Sequence, residues 1–328
     1  MHAPTINGEL AATADAAPSV RVREVGPRDG LQAAGGIMPT ATKLRWITAM
    51  ARAGLREMEV ASFVPPATLP QMADATELTR SVRRTLPSLR AIVLAPNFRG
   101  LQDAVAAGAR QIVIPVSASQ AHSQANVRRS IEQQIAAVAQ ATAWVRTLPE
   151  APRIEAGVAT AFGCSLQGVV SERDVVSTAV GLVEAGVDVV SLADTLGYAT
   201  PSQVKRLVKA IRSEVGEQRF GNLHLHDTLG TALANICAAL EEGVQGFDSS
   251  LGGFGGCPYA PGSAGNVATE DVVYLLESEG LDTGIDLRAL IAAGDELRAA
   301  MPEEQFHSRI VSAGIPRTYQ SARGCGHS

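Results

Sequence analysis

Eight times between residues 20 and 276 a short apolar run is followed by a longer stretch with helical spacing, and no other feature of this chain restricts its fold as much. Extended runs fall at 20–25, 57–61, 89–94, 111–116, 154–159, 187–192, 223–226 and 246–250. Helical patterns occupy 40–53, 70–82, 98–107, 123–146, 172–185, 201–215, 231–242 and 269–276. Several helical stretches stop at a glycine just before the next strand, at Gly54, Gly108, Gly186 and Gly243, where a helix most readily ends. Eight similar strand–helix units imply α/β structure as a single (β/α)₈ TIM barrel. An open, doubly wound sheet is the alternative, disfavoured because the units are alike. The expected organisation is a disordered leader at 1–19, the barrel at 20–279, and a short helical C-terminal extension with a flexible tail at 280–328.

Barrel active sites form at the carboxyl ends of the strands, so the residues at those ends are the candidates. Strand one ends near Arg28 and Asp29, strand two carries Glu59, strand six ends at Asp194, and strand seven supplies His224 and His226. The loop after strand eight is glycine-rich and holds Cys257 and Asn266. Side chains alternate along a strand, so His224 and His226 face the same side, as two imidazoles sharing one ion must. With Asp29 and Asn266 they offer two nitrogens and two oxygens. That set suits a six-coordinate divalent metal, Mg²⁺ or Mn²⁺, with positions left for substrate, and suits zinc less well because of the amide. A half-buried polar pair is the plainer reading of His-x-His, and position at a strand end argues against it.

The chain has 328 residues, a net charge of -5 and no basic tract, which excludes a nucleic-acid backbone binder. No apolar run is long enough to span a membrane. The first nineteen residues lack the basic and apolar regions of a targeting segment. Cys164, Cys237, Cys257 and Cys325 are widely spaced, which indicates reduced thiols and a cytoplasmic location rather than a disulfide framework.

At these positions the chain resembles the hydroxymethylglutaryl-CoA lyase family of the DRE-TIM metallolyase superfamily. The similarity rests on Glu-Val-Gly-Pro-Arg-Asp-Gly-Leu-Gln from Glu24 to Gln32, Ala-Ser-Phe-Val-Pro-Pro from Ala61 to Pro66, and Ser-Leu-Ala-Asp-Thr-Leu-Gly around Asp194. It continues in Gly-Gly-Cys-Pro-Tyr-Ala at Cys257 and Gly-Asn-Val-Ala-Thr-Glu-Asp from Gly265 to Asp271. The resemblance implies Asp29, His224, His226 and Asn266 as metal ligands, Arg28, His224 and Cys257 in catalysis, and Glu59 and Asp194 as further active-site acids. It also implies an acyl-CoA substrate, with a homo-oligomer, a dimer, as the assembled state. Ala33 and Ala34 stand where the family pattern has Asn-Glu, and Val60-Ala61 where it has two threonines. These exchanges lead to the expectation that a longer-branched acyl group is accepted.

The chemistry of such a lyase matches these residues. Cleaving the C2–C3 bond of a 3-hydroxyacyl thioester requires loss of the C3 hydroxyl proton and stabilisation of a thioester enolate. A divalent ion makes the hydroxyl more acidic, an always-charged arginine can hold the enolate oxygen, and a thiol on a glycine-rich loop can exchange the proton. The products expected are acetyl-CoA and a keto acid, acetoacetate for the methyl substrate. Plainer roles stand beside these: Arg28 as a partner of Asp29 or Glu24, Cys257 as a small packed hydrophobe, and Glu59 or Asp194 as acids that orient other groups. Alternatives for the whole chain are a lyase for a related 3-hydroxyacyl-CoA (longer-branched or citramalyl-type), a Claisen-type acyl-CoA synthase, and a non-catalytic metal-binding barrel. The short stretch after Gly280 disfavours the synthase.

Overall fold

The computed structural model describes residues 19–255 and 265–322. Strand β1 (Arg21–Glu24) leads into a π-helical turn over Gly26–Gly30 and a single α-turn, α1 (Leu31–Ala33). The alternation runs on through α2 (Thr40–Arg52), β2 (Glu57–Ser62), α3 (Ala75–Thr85), β3 (Arg90–Leu94), α4 (Phe98–Ala106) and β4 (Gln111–Ser117). Next come α5 (Gln120–Val127), α6 (Ile131–Val145), β5 (Arg153–Ala159), α7 (Glu172–Glu184), β6 (Val189–Asp194), α8 (Pro201–Val215) and β7 (Phe220–Leu225). The chain continues as α9 (Ala232–Glu241), β8 (Gly246–Ser249), α10 (Thr269–Ser278), α11 (Leu287–Ala300) and α12 (Arg309–Ala313).

All strand pairs are parallel, and β1 pairs with β8 from Arg21↔Gly246 to Glu24↔Ser249, which closes the barrel. The four glycines expected to stop helices all have positive φ, from +77° at Gly243 to +113° at Gly54, a conformation that costs other residues energy. Helix α11 packs against α2, and its Leu287, Leu290 and Leu297 join the core.

Along the strands the alternation of side chains is apolar outward and polar inward. Met58, Ile112, Ile154, Val190, Leu223 and Phe247 pack into the layer between strands and helices, with Trp46, Leu78, Leu101, Leu182, Leu207 and Ile236 across from them. Each such side chain contributes about 1.5–3 kcal/mol when fully buried. The intervening Arg23, Gln111, Glu155, Ser191, Asn222 and Asp248 are buried too and hydrogen-bond or ion-pair with one another inside the barrel.

The expected elements change in three places. The stretch 123–146 is two helices rather than one: Arg128 adopts a left-handed conformation (φ 56°), and Ser130 and Gln133 form a capping box that starts α6. The stretch 70–82 is a short 3₁₀ turn at Pro70–Met72 followed by α3. Strand β7 ends at Leu225, and His226 instead makes an isolated bridge with Asn266. Val60 and Ala61, expected near the rim, are fully buried in the apolar core beside a bulge between Glu59 and Ala61. The leader up to residue 18, Cys257 and Cys325 lie outside the described residues. Cys164 and Cys237 are both free thiols. Among the described residues no helix is long and apolar enough to cross a membrane.

Candidate active site

The turn after β1 is built so that two adjacent side chains enter the barrel mouth from one short loop. The Gly26 amide donates to Glu24 Oε1 at 2.7 Å, and a Cβ on Gly26 would stand only 2.5 Å from that oxygen. Glycine is therefore required where the chain folds back on its own carboxylate. Gly30 meets the loop after β8 equally closely: a Cβ there would lie 2.5 Å from the Phe254 ring. The first turn and the entry to the glycine-rich loop are thus packed backbone against ring.

Arg28, nearly buried, donates from Nε to Glu59 Oε2 at 2.6 Å and also pairs with Asp29 through Nη1. Two carboxylates, one from β2 and one from the turn after β1, therefore fix its guanidinium. Asp29 Oδ2 lies 3.9 Å from His224 Nε2 and 3.9 Å from His226 Nε2, and the two imidazole nitrogens stand 3.2 Å apart. The Asn266 carboxamide closes the group, with Nδ2 donating to Asp29 Oδ2 at 2.7 Å. Donor atoms of Asp29, His224 and His226 all lie within 4.8 Å of one another.

These residues fit a divalent cation. Two imidazole nitrogens that face each other this closely beside a carboxylate are stabilised by a shared positive charge, and Asn266 Oδ1 is buried with no hydrogen-bond partner among the described residues. Burial opposes ionisation of Asp29, yet Arg28 foremost, then His224 and His226, hold it well below the usual carboxylate range. Burial, reinforced by the neighbouring His224, lowers the His226 pKa to about 4, so its neutral, ligating form prevails near pH 7. Burial also opposes charge on His224, but Asp248 and Asp29 raise its pKa above the ordinary value.

Below this cluster lies a layer that the sequence reading missed. Asp248 Oδ2 faces His224 Nδ1 at 3.4 Å, and Asn222 Nδ2 donates to Asp248 Oδ1 at 2.8 Å. Arg23 Nη1 and Nη2 donate to the two oxygens of Glu155, each at 2.9 Å, while Arg23 Nε stands 3.7 Å from Asp248. The available signal was a charged residue inside an otherwise apolar strand, as in Ile-Glu-Ala-Gly-Val at Glu155.

Arg28, Asp29, Glu59, His224, His226 and Asn266 are therefore brought together. Asp194 is not part of that contact set: its oxygens accept from the Tyr198 and Ala199 amides at 2.9 and 3.0 Å, and burial raises its pKa to about 6. It acts on the loop after β6 and reaches His224 only through its charge. Glu24 and Glu270, unassigned from the sequence, lie under the loop after β8. Glu24 accepts from the Leu251 amide at 2.9 Å and from Thr269 Oγ1 at 2.6 Å, and Glu270 accepts from the Gly252 amide at 2.7 Å.

Comparison with known proteins agrees with this geometry. A relative from Rattus norvegicus, named 3-hydroxy-3-methylglutaryl-CoA lyase, cytoplasmic, is 41% identical over 296 residues, covering 90% of this chain and 85% of that protein. One from Pseudomonas aeruginosa, named 3-hydroxy-3-isohexenylglutaryl-CoA/hydroxy-methylglutaryl-CoA lyase, is 40% identical over 282 residues, covering 86% and 93%. The crystal structure of a hydroxymethylglutaryl-CoA lyase from Pseudomonas aeruginosa superposes with a TM-score of 0.85 at 40% identity, covering 90% of this chain and 97% of that one. The model of the HMGL-like family matches residues 19–296, which takes in every strand of the barrel and all of the cluster, and the chain belongs to that family.

Proposed function

We propose that this chain is a metal-dependent carbon–carbon lyase that cleaves a 3-hydroxy-3-methylglutaryl-CoA-type thioester to acetyl-CoA and a keto acid, acetoacetate for the methyl substrate. The observation that carries the proposal is the convergence of Asp29, His224, His226 and Asn266 with Arg28 at the carboxyl-terminal mouth of the barrel. Those four residues would hold Mg²⁺ or Mn²⁺, whose charge would make the C3 hydroxyl a stronger acid.

Arg28 supplies the second positive charge. Glu59 and Asp29 hold its guanidinium rigidly, so it is oriented before the thioester oxygen gains charge and little reorganisation is needed as the enolate forms. His224 has one free lone pair, on Nε2, because Nδ1 faces Asp248. Ligation would use that lone pair, so His224 would take part in catalysis by positioning the metal rather than as a free base. Cys257 follows directly on the packed entry of the loop after β8 and is assigned the proton exchange with the departing acetyl-CoA enolate.

The name of the Pseudomonas aeruginosa relative, which covers a long-branched and a methyl substrate, supports a second element of the proposal: acceptance of longer C3 substituents. Ala33 is exposed and Ala34 is buried with its carbonyl held by Gln71 at 2.8 Å, and of the four exchanged positions the proposal assigns these two to the acyl site. Val60 and Ala61 are spent on the core. A cytoplasmic location and a dimer belong to the same proposal, the former supported by the designation of the rat relative. The deciding experiment is a coupled assay for free acetyl-CoA and keto acid with hydroxymethylglutaryl-CoA, with and without chelator. Turnover that persists unchanged in excess chelator refutes the metal role, and release of free CoA thiol in place of acetyl-CoA refutes cleavage.

A further inference from the structure

We infer that the amino-terminal mouth of the barrel, opposite the cluster described above, is a binding site for a small dianion of the phosphate class. A cavity of about 460 Å³ opens there, bounded by the first residues of the strands. Its lining includes five arginines, Arg21, Arg23, Arg90, Arg153 and Arg212, against three glutamates, Glu57, Glu155 and Glu217, with Glu59 and Asp248 also facing Arg23 at 3.8 and 3.7 Å.

The glutamates are already engaged. Glu155 takes both forks of Arg23 and a bond from Gln111, Glu57 Oε1 accepts from Arg90 at 2.8 Å, and Glu217 pairs with Arg212 at 3.0 Å. What remains is donor capacity. Arg153 forms no ion pair among the described residues, and the nearest carboxylate contact of Arg21 is 3.7 Å from Glu57. Arg23, only 4% exposed, lines the same space; its Nε has no hydrogen-bond partner among the described residues, its ion-pair contacts to Glu57 and Asp248 each standing at 3.7 Å. Guanidinium groups from β1 and β5 thus line the same cavity. A tetrahedral oxyanion presents more acceptor oxygens than a carboxylate and can accept from several guanidinium groups at once. Gly246 keeps the mouth passable: a Cβ there would lie 2.1 Å from Asn222 Oδ1 and 3.1 Å from Arg21 Nη2.

A purely structural role for these arginines is the competing explanation, since the amino-terminal face of a barrel commonly serves stability. Calorimetric titration of the intact chain with inorganic phosphate, in chloride buffer of matched ionic strength, separates the two. The expected result is saturable one-to-one binding that acetate does not reproduce. Arg153→Gln and Arg21→Gln should each weaken it by about tenfold, the worth of one hydrogen bond to a charged group. Arg153→Gln should leave the thermal midpoint in chloride unchanged, because that side chain makes no bond to lose. Tighter binding of a phosphomonoester than of inorganic phosphate names a metabolite as the source, and equal binding names the free ion. Heat that never saturates, or an affinity that both variants retain, overturns the site.

Discussion

Asp248 stands directly behind His224, its Oδ2 3.4 Å from Nδ1, so the imidazole presents Nε2 to Asp29 and His226. A carboxylate in this position fixes the tautomer and the ring angle of a metal-ligating histidine and raises its basicity. Asp248 is itself held by Asn222 and Arg23, which ties the ligand to the barrel interior. Asp248→Asn should therefore weaken metal binding by roughly 10–100-fold while the fold is kept. Titration with Mn²⁺ followed by electron paramagnetic resonance reads this directly. An unchanged affinity would assign Asp248 to the Arg23 network alone.

His226→Ala and Arg28→Ala should separate ligation from charge stabilisation. The first removes a ligating nitrogen and should lower metal affinity. The second should leave a metal-binding chain whose kcat falls by ~10²-fold or more, as for a lost oxyanion donor. Metal affinity and kcat measured on both variants test the division, and an equal loss of metal in the two would place Arg28 in the ligand set.

Stability should fall as pH rises above the ordinary carboxyl range. Burial lifts the Glu270 pKa to about 8 and that of Glu24 to about 7, so the folded chain keeps protons that the unfolded chain releases near pH 4.5. A native-state pKa above the unfolded value gives a contribution that is whole below pH 4.5 and is lost between there and about pH 8. Asp29, held low, acts in the opposite sense only at acid pH. Glu270→Gln can still accept from the Gly252 amide but cannot ionise. Its thermal midpoint should decline less between pH 5 and pH 9 than that of the wild type, and parallel curves would show that Glu270 does not carry the effect.

The acyl pocket should discriminate weakly by chain length. One methylene in an apolar pocket is worth about 1–3 kcal/mol, about 10–200-fold in kcat/KM, so a pocket that admits the longer branch should turn it over with at least the efficiency of the methyl substrate. The ratio of kcat/KM for a methyl and a longer 3-alkyl substrate should shift toward methyl in an Ala33→Asn, Ala34→Glu double variant. A wild type that rejects the longer substrate, with the same ratio in the variant, would remove these alanines from the pocket.

The sequence by itself determined what is local or periodic. Eight strand–helix units specified the barrel, glycine stops marked four helix ends, and the period of two put His224 and His226 on one side even though β7 ends between them. The position of Asp29 and Asn266 at the same mouth followed from the rule that strand ends share a rim, and the contact between them, across 237 residues, agrees. Tertiary structure alone decided which charges neutralise one another. Arg23 and Glu155 are 132 residues apart and Asn222 and Asp248 are 26 apart, and nothing in either local pattern names the partner. Barrel closure brings β1 beside β8 and gathers these buried side chains into one interior, where an unpaired charge is costly and each must find its partner. The same dependence on context turned Asp194 onto the amides of its own loop and drew Val60 and Ala61 into the core, because burial and bulge geometry are properties of the closed sheet and not of the strand.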